Sequence, residues 1–185
     1  MISFFDKKQI YLIGFMGAGK TTVGKLLAEK LNQPFVDIDD VIEKKTDLAV
    51  PMIFEKFGEE YFRKLETDIL QRIAKYPGNV IATGGGIILN AGNRKILKNT
   101  GITIYLKWHP SVLYQRIKNS THRPLLKNIN ESQLVQHIEK ILQRRQPFYE
   151  GADIIIDAND GTAPHDIVAS IIQQLSSKHK ISNEK

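Results

Sequence analysis

The sequence contains no cysteine, and this absence excludes disulfide bonds, thiolate metal sites and cysteine nucleophiles. It also lacks any apolar run close to the roughly 18 residues that a membrane-spanning helix needs, so we expect no membrane partner. Near the amino terminus, Asp6, Lys7 and Lys8 interrupt the apolar stretch that a secretory signal requires. We therefore expect a cytoplasmic protein.

Charge is plentiful and moderately biased towards the positive sign. The 26 Lys and Arg outnumber the 20 Asp and Glu, which gives a net charge of +6. This surplus suits anionic ligands, but Lys178, Lys180 and Lys185 lie in a polar tail, so we expect no nucleic-acid partner. With 42% hydrophobic and 25% charged residues, positions 1–185 are predicted to form one globular domain. We expect disorder after residue 177.

The most informative stretch is GFMGAGKT at residues 14–21, which fits the pattern G-x-x-x-x-G-K-S/T at every fixed position. It follows an apolar run and precedes a helical pattern, which is the context of a phosphate-binding loop. Its glycines let successive backbone N–H groups face an anion, and the following helix adds the positive end of its dipole. In such a loop Lys20 contacts the β- and γ-phosphates, and Thr21 offers its hydroxyl to Mg²⁺.

Short apolar runs alternate with helical patterns along the chain. The runs cover residues 9–14, 34–38, 79–83, 102–108 and 153–157. The helical patterns cover residues 21–31, 51–75 with a break near Gly58, 89–98, 110–118, 131–146 and 164–177. This alternation predicts an α/β fold, in which helices cover both faces of a parallel sheet and ligands bind at the carboxyl ends of the strands.

Carboxylates cluster where the second predicted strand ends. Period-two alternation would place Asp37 and Asp39 on the same side of an extended segment. One of them is suited to hold Mg²⁺ and the other to accept the proton of a phosphoryl acceptor. Alternatively, Asp39 or Asp40 caps a helix that begins near Val41, and both interpretations can hold together.

The third predicted strand ends in Thr83 and three glycines, residues 84–86. Many phosphate-loop enzymes carry a Mg²⁺-linked aspartate at this place, so we expect the metal carboxylate at Asp37 instead. Three glycines favour close approach of a ligand to the backbone, whereas a flexible turn would need only one.

Three arginines have suitable chemistry for an acidic ligand. Arg63 lies one helical turn before Glu66, which could orient its guanidinium group. Arg123 lies in a polar loop at residues 119–130 that has the composition of a lid, and Arg145 lies near a predicted helix end. Guanidinium groups suit carboxylates and phosphates, although each arginine taken singly is more often a solvated surface residue.

Together these motifs closely resemble the shikimate kinases, which phosphorylate the 3-hydroxyl of shikimate in aromatic amino-acid biosynthesis. The matching segments are GFMGAGKTTVG at 14–24, DID at 37–39, FGE at 57–59, FR at 62–63, GGG at 84–86, RPLL at 123–126, and Arg145 with Pro147 and Tyr149. Many kinases share the phosphate loop, but the combination is far more specific.

The resemblance implies a P-loop kinase fold of three layers, with a five-stranded parallel sheet in the order 2-3-1-4-5. It also implies a shikimate-binding region near residues 39–66, a lid near 119–130, ATP and Mg²⁺ as co-substrate and cofactor, and a monomer. The implied catalytic residues are Lys20, Asp39 and Arg123. The implied ATP-binding residues are Gly17, Ala18, Gly19, Lys20, Thr21, Thr22, Arg116 and Arg123. The implied shikimate-binding residues are Asp39, Arg63, Gly84, Gly85, Gly86 and Arg145, and the implied metal ligands are Thr21 and Asp37.

Two alternatives and one departure accompany this interpretation. A kinase of gluconate or a nucleoside would share the scaffold, but an uncharged sugar would leave Arg63 and Arg145 without an anionic partner. A non-catalytic nucleotide-binding module would not need its catalytic residues intact, and a GTPase would carry an N-K-x-D motif. Some shikimate kinases place an arginine in the loop that corresponds to residues 158–164, and this chain has none there.

Overall fold

The structure is a computed structural model, and it describes residues 8–118 and 131–183. Within them, the strands β1 to β5 are Gln9–Ile13, Phe35–Asp37, Val80–Ala82, Gly101–Trp108 and Ile154–Ala158. The helices α1 to α7 are Lys20–Leu31, Ile38–Thr46, Val50–Ile73, Ala91–Thr100, Pro110–Ile117, Glu131–Tyr149 and Pro164–Asn183. All strands pair in parallel in the order β2-β3-β1-β4-β5, so the predicted sheet is confirmed.

The central strand β1 is buried on both faces, which explains why it reads as a continuous apolar run. Ile10 and Leu12 pack into a core cluster that includes residues of α1 and α7. Tyr11 and Ile13 face the opposite cluster, to which α3 and α4 contribute. The aliphatic side chains Ile10, Leu12 and Ile13 each stabilise the fold by about 2 kcal/mol through burial. The loop that follows β1 therefore leaves from the middle of a rigid sheet.

Gln9 is the one polar residue of β1, and it is fully buried. Its Nε2 group donates to the carbonyl oxygens of Ile73 and Tyr76 at 2.7 and 2.8 Å. Its Oε1 atom accepts from the backbone N–H and the side-chain amide of Asn79 at 2.9 and 3.2 Å. The amide thus fixes the chain between α3 and β3 against the start of β1.

Two predicted helices differ from the observed ones at their ends. Helix α2 begins at Ile38, directly after β2, so the placement of Asp37 and Asp39 on one side of an extended segment was wrong. Asp37 is the N-cap of this helix, because its Oδ1 atom accepts the N–H of Asp39 at 3.0 Å. Helix α7 continues to Asn183, beyond the predicted helix end at residue 177.

The break predicted near Gly58 is present inside α3, where Gly58 adopts φ 80° and ψ 170° and kinks the helix. The predicted lid at residues 119–130 lies outside the described residues. Across the described ranges, every helix is too short or too polar to cross a bilayer.

We expect Gln9→Leu to lower the free energy of unfolding by about 3 kcal/mol, because it removes the four hydrogen bonds of a buried amide and leaves the backbone N–H of Asn79 without its acceptor. Urea unfolding measures this change. The control Gln71→Leu makes the same change at an exposed position of α3 and should stay within about 0.5 kcal/mol of the wild type. Equal losses in the two variants would contradict the role assigned to Gln9.

Candidate active site

The phosphate-type loop occupies residues 14–19, between β1 and the first turn of α1. Gly17 has φ 78°, and a Cβ atom there would lie 2.6 Å from Cγ2 of Ile117. Only glycine fits this position, since a side chain would be strained and would also collide with α5. Lys20 folds back over the loop, and its ammonium group donates to the carbonyl oxygens of Gly14 and Phe15, each at 2.9 Å.

Thr21 and Asp37 bring a hydroxyl and a carboxylate together beside this loop. Thr21 Oγ1 donates to Asp37 Oδ2 at 2.7 Å, while the other oxygen of Asp37 caps α2. Oxygen atoms of this kind are the ligands that Mg²⁺ prefers. Among the described residues, no cluster of three or more His, Cys, Asp or Glu side chains is arranged for a metal. A Mg²⁺ ion that Thr21 and Asp37 hold would therefore need further oxygens from phosphates and water.

Two cavities meet at this pair of residues. The first, the loop cavity, has a volume of about 430 Å³ and lies between residues 16–23 and the side chains of Trp108, Arg116, Thr162 and Pro164. The second, the arginine cavity, has a volume of about 330 Å³ and contains Arg63, Glu66 and Arg145. Both are lined by Met16, Thr21, Asp37, Asp39 and Gly85. A group held in one cavity can therefore reach a group held in the other.

The fold brings two arginines from distant helices into the arginine cavity. Arg63, on α3, donates through Nε and Nη2 to Glu59 Oε1 at 3.1 and 2.9 Å, and its Nη1 pairs with Glu66. Arg145, on α6, is only 6% exposed and donates through Nη1 to the carbonyl of Gly85 at 3.0 Å. Since both guanidinium groups are fixed, they form a prepared site for an anion.

Glu66 is fully buried behind Arg63. Burial raises the pKa of its carboxyl group from 4.5 to about 7, although the charge of Arg63 opposes this rise. Its Oε1 atom has no hydrogen-bond partner among the described residues. The prediction that Glu66 pairs with Arg63 is confirmed, but its burial was missed, because the spacing of two residues on a helix does not reveal what covers them.

The three glycines after β3 make room for this ion pair. A Cβ atom on Gly84 would lie 2.0 Å from Glu66 Oε1, and one on Gly86 would lie 2.5 Å from Arg63 Cζ. The carbonyl oxygen of Gly85 accepts from Arg145 and from the hydroxyl of Tyr149, at 3.0 and 2.5 Å. The glycines thus admit side chains of the protein itself next to the backbone.

Arg116 lines the loop cavity beside the phosphate-type loop. Its guanidinium carbon lies 3.6 Å from the centroid of the Trp108 ring, over the ring face. Burial lowers the pKa of Arg116, and the charge of Asp160 opposes this effect. In the loop at residues 158–164, which contains no arginine, Thr162 and Pro164 line the cavity. Trp108 was missed as a site residue because its position within an apolar strand gave no signal.

The structure gathers the predicted site residues that it describes. The residues that line the loop cavity are Gly17, Ala18, Gly19, Lys20, Thr21, Thr22 and Arg116. Those that line the arginine cavity are Asp39, Arg63, Gly84, Gly85, Gly86 and Arg145. Arg123 lies outside the described residues. Sequence reasoning also missed Phe54, which lines the arginine cavity.

Comparison with known proteins gives a consistent likeness over nearly the whole chain. Residues 16–176 match the family model for shikimate kinase. The shikimate kinase of Thermodesulfovibrio yellowstonii is 44% identical, over 96% of this chain and 99% of that protein. The structure of the Acinetobacter baumannii shikimate kinase in complex with shikimate has a TM-score of 0.89 at 41% identity, over 96% of this chain and 98% of that one. The structure of the shikimate kinase from Aquifex aeolicus has a TM-score of 0.75 at 38% identity, over 92% of this chain and 98% of that one.

The raised pKa of Glu66 predicts a stability change with pH. Between 4.5 and about 7 the folded state holds a proton that the unfolded state has lost, so the free energy of unfolding should fall as the pH rises through this range. This contribution amounts to at most about 3 kcal/mol. Glu66→Gln should flatten the pH dependence, as measured by urea unfolding at several pH values. The control is Glu60→Gln, because the Glu60 side chain is 91% exposed, and this variant should keep the wild-type dependence of the free energy of unfolding on pH. If Glu66→Gln also kept the wild-type dependence, the prediction would be refuted.

Proposed function

The chain belongs to the shikimate kinase family, whose members transfer phosphate from ATP to shikimate, and we propose that it transfers the γ-phosphoryl group of ATP to the 3-hydroxyl of shikimate. This reaction is a step of aromatic amino-acid biosynthesis. The observation that carries the proposal is that the loop cavity and the arginine cavity meet at Thr21, Asp37 and Asp39. A phosphoryl donor and a carboxylated alcohol can therefore lie side by side.

ATP occupies the loop cavity in this proposal. Backbone N–H groups of residues 17–22 bind its phosphates, and the dipole of α1 adds to their attraction. Lys20 exchanges the carbonyl oxygens of Gly14 and Phe15 for the β- and γ-phosphates, which are stronger partners for an ammonium group. Arg116, which lines the same cavity, lies against the base of ATP.

Thr21 and Asp37 would hold Mg²⁺ together with phosphate oxygens, because their adjacent oxygen atoms suit this ion. When bound, the ion supplies positive charge that offsets the charge of the β- and γ-phosphates. The hydrogen bond between Thr21 and Asp37 keeps both side chains in place for this role.

Shikimate occupies the arginine cavity, where Arg63 and Arg145 bind its carboxylate. Asp39, at the junction of the cavities, orients the 3-hydroxyl group and accepts its proton. The hydroxyl oxygen forms a bond to the γ-phosphorus, the bond from this phosphorus to the β–γ bridging oxygen breaks, and ADP leaves. The roles predicted for Arg123 and the lid at residues 119–130, which are to cover the nucleotide and exclude water, lie outside the described residues and stay predictions.

The two arginines favour this acceptor over an uncharged sugar, because only an acidic acceptor offers a carboxylate to Arg63 and Arg145. The intact catalytic residues argue against a non-catalytic nucleotide-binding module.

Since both cavities are formed within one chain, we also propose that the protein acts as a monomer. The use of ATP supports a cytoplasmic location.

The specificity of the acceptor is tested by ADP release from ATP and Mg²⁺ with shikimate, quinate or gluconate offered separately. We expect turnover with shikimate and less than about 1% of that rate with gluconate, because gluconate cannot match both the ring and the carboxylate position. Rapid turnover of gluconate alone would exclude the proposed acceptor.

Lys20→Ala should lower kcat at least about a hundredfold, because it removes a cation from the transferring phosphate. Lys30→Ala removes an exposed lysine of the same helix and is the control.

Arg63→Ala should raise the KM for shikimate about a hundredfold while the KM for ATP changes little, because charge-assisted hydrogen bonds to the acceptor carboxylate are lost. Steady-state kinetics with each substrate varied in turn measures both values. Arg72→Ala removes an exposed arginine from the same helix and should leave both unchanged. An Arg63→Ala enzyme with unaltered acceptor affinity would count against the carboxylate site.

A further inference from the structure

Trp108, the single tryptophan of the chain, makes two directed contacts that its place in the core does not require. Its indole Nε1 donates to the carbonyl oxygen of Ala18 in the phosphate loop at 3.0 Å. One face of its ring lies under the guanidinium group of Arg116, at 3.6 Å from Cζ to the ring centroid. One rigid side chain thus contacts both the phosphate-type loop and an arginine that lines the loop cavity.

The simpler interpretation is that Trp108 only fills the core. It is 4% exposed and belongs to the cluster that includes Val112 and Leu113. However, an aliphatic side chain would serve packing alone, and it would offer neither an N–H donor to Ala18 nor a π face to a cation. Both polar properties of the indole are used here, and both are used towards the loop cavity.

Arg116 needs such a support in order to present a flat surface. A free arginine side chain samples many rotamers, and fixing it costs up to about 2 kcal/mol of conformational entropy. The stack on Trp108 orients the guanidinium plane before any ligand binds. Arg116 Nη1 also lies 3.4 Å from the carbonyl oxygen of Gly17, which places it at the rim of the same loop.

We propose that Trp108 is a positioning residue, which holds Arg116 as a flat platform for the purine of ATP and links that platform to the phosphate loop. Thr162 and Pro164 line the same cavity. Base and phosphates are then recognised by one connected unit, Ala18–Trp108–Arg116. This inference rests on the proposed function, because it takes ATP as the occupant of the loop cavity.

Steady-state kinetics of three variants tests the platform. Trp108→Leu should raise the KM for ATP about tenfold, because the stack is lost, and should leave the KM for shikimate within about twofold. Trp108→Phe keeps a ring face and loses only the N–H donor, so it should rescue most of this loss, to within about threefold of the wild type. After Arg116→Ala, the further change Trp108→Leu should have little effect, because the two residues act as one unit.

A matched core change separates positioning from packing. Ile171→Ala truncates a fully buried member of the same core cluster that does not line the loop cavity. It should reduce stability in urea and leave the KM for ATP within about twofold. If Trp108→Leu raises both KM values equally, or if its effect adds fully to that of Arg116→Ala, Trp108 is an ordinary core residue and the inference is wrong.

Fluorescence provides a test that needs neither a change at Trp108 nor the acceptor. Since Trp108 is the single tryptophan, its emission reports the stack directly. ATP should change the emission more than tripolyphosphate does, because only ATP brings a purine to Arg116, and in Arg116→Ala the two ligands should act alike. Equal responses in the wild type would overturn the inference. A normal ATP response in a protein that does not phosphorylate shikimate would instead refute the proposed acceptor and leave the platform intact.

Discussion

The position of β1 between β3 and β4 in a parallel sheet determines the rest of the site. Because all strands point the same way, the segments that follow β1, β3 and β4 leave from one edge of the sheet. The phosphate-type loop therefore lies between the glycine turn at residues 84–86 on one side and the helix that carries Arg116 on the other. Tight packing keeps it there: a Cβ atom on Gly14 would approach the carbonyl oxygen of Leu106, in β4, to 2.9 Å. The two cavities are a consequence of this order of strands.

Cationic side chains line both cavities, and Glu66 lies beside Arg63 in one of them. Arg63 and Arg145 lie in one cavity and Lys20 and Arg116 in the other, while carboxylates lie at the junction. The buried carboxyl group of Glu66 orients Arg63, and burial raises the pKa of this carboxyl group. Glu59 pairs with the same guanidinium group. The buried pair of Glu66 and Arg63 contributes more to orientation than to stability, since desolvation offsets much of its Coulomb energy.

Local sequence signals predicted the parts of this site that depend on neighbours in the chain. The phosphate loop, the alternation of strands and helices and the break at Gly58 all follow from short patterns, and the strand order followed from the family resemblance. The expectation for Asp37 and Asp39 failed, because Asp37 uses its carboxylate to begin a helix where period-two alternation assumed a longer strand. The burial of Glu66 and the stack of Arg116 on Trp108 depend on packing between distant segments. No spacing rule contains that information.

The proposed function separates the groups that hold the substrates from the groups that react. In this proposal, Arg63, Arg145 and Arg116 contact substrate parts that do not change during phosphoryl transfer, and they lie in the two cavities beyond the junction. Binding energy gained there fixes the position of the hydroxyl and phosphoryl groups at Asp39 and Lys20, which lowers the entropy cost of their encounter. Phosphoryl transfer gains much from such alignment, because its transition state requires little covalent participation by the protein. A rigid sheet with short connections suits this chemistry, since displacement by about 1 Å can reduce the rate about a hundredfold.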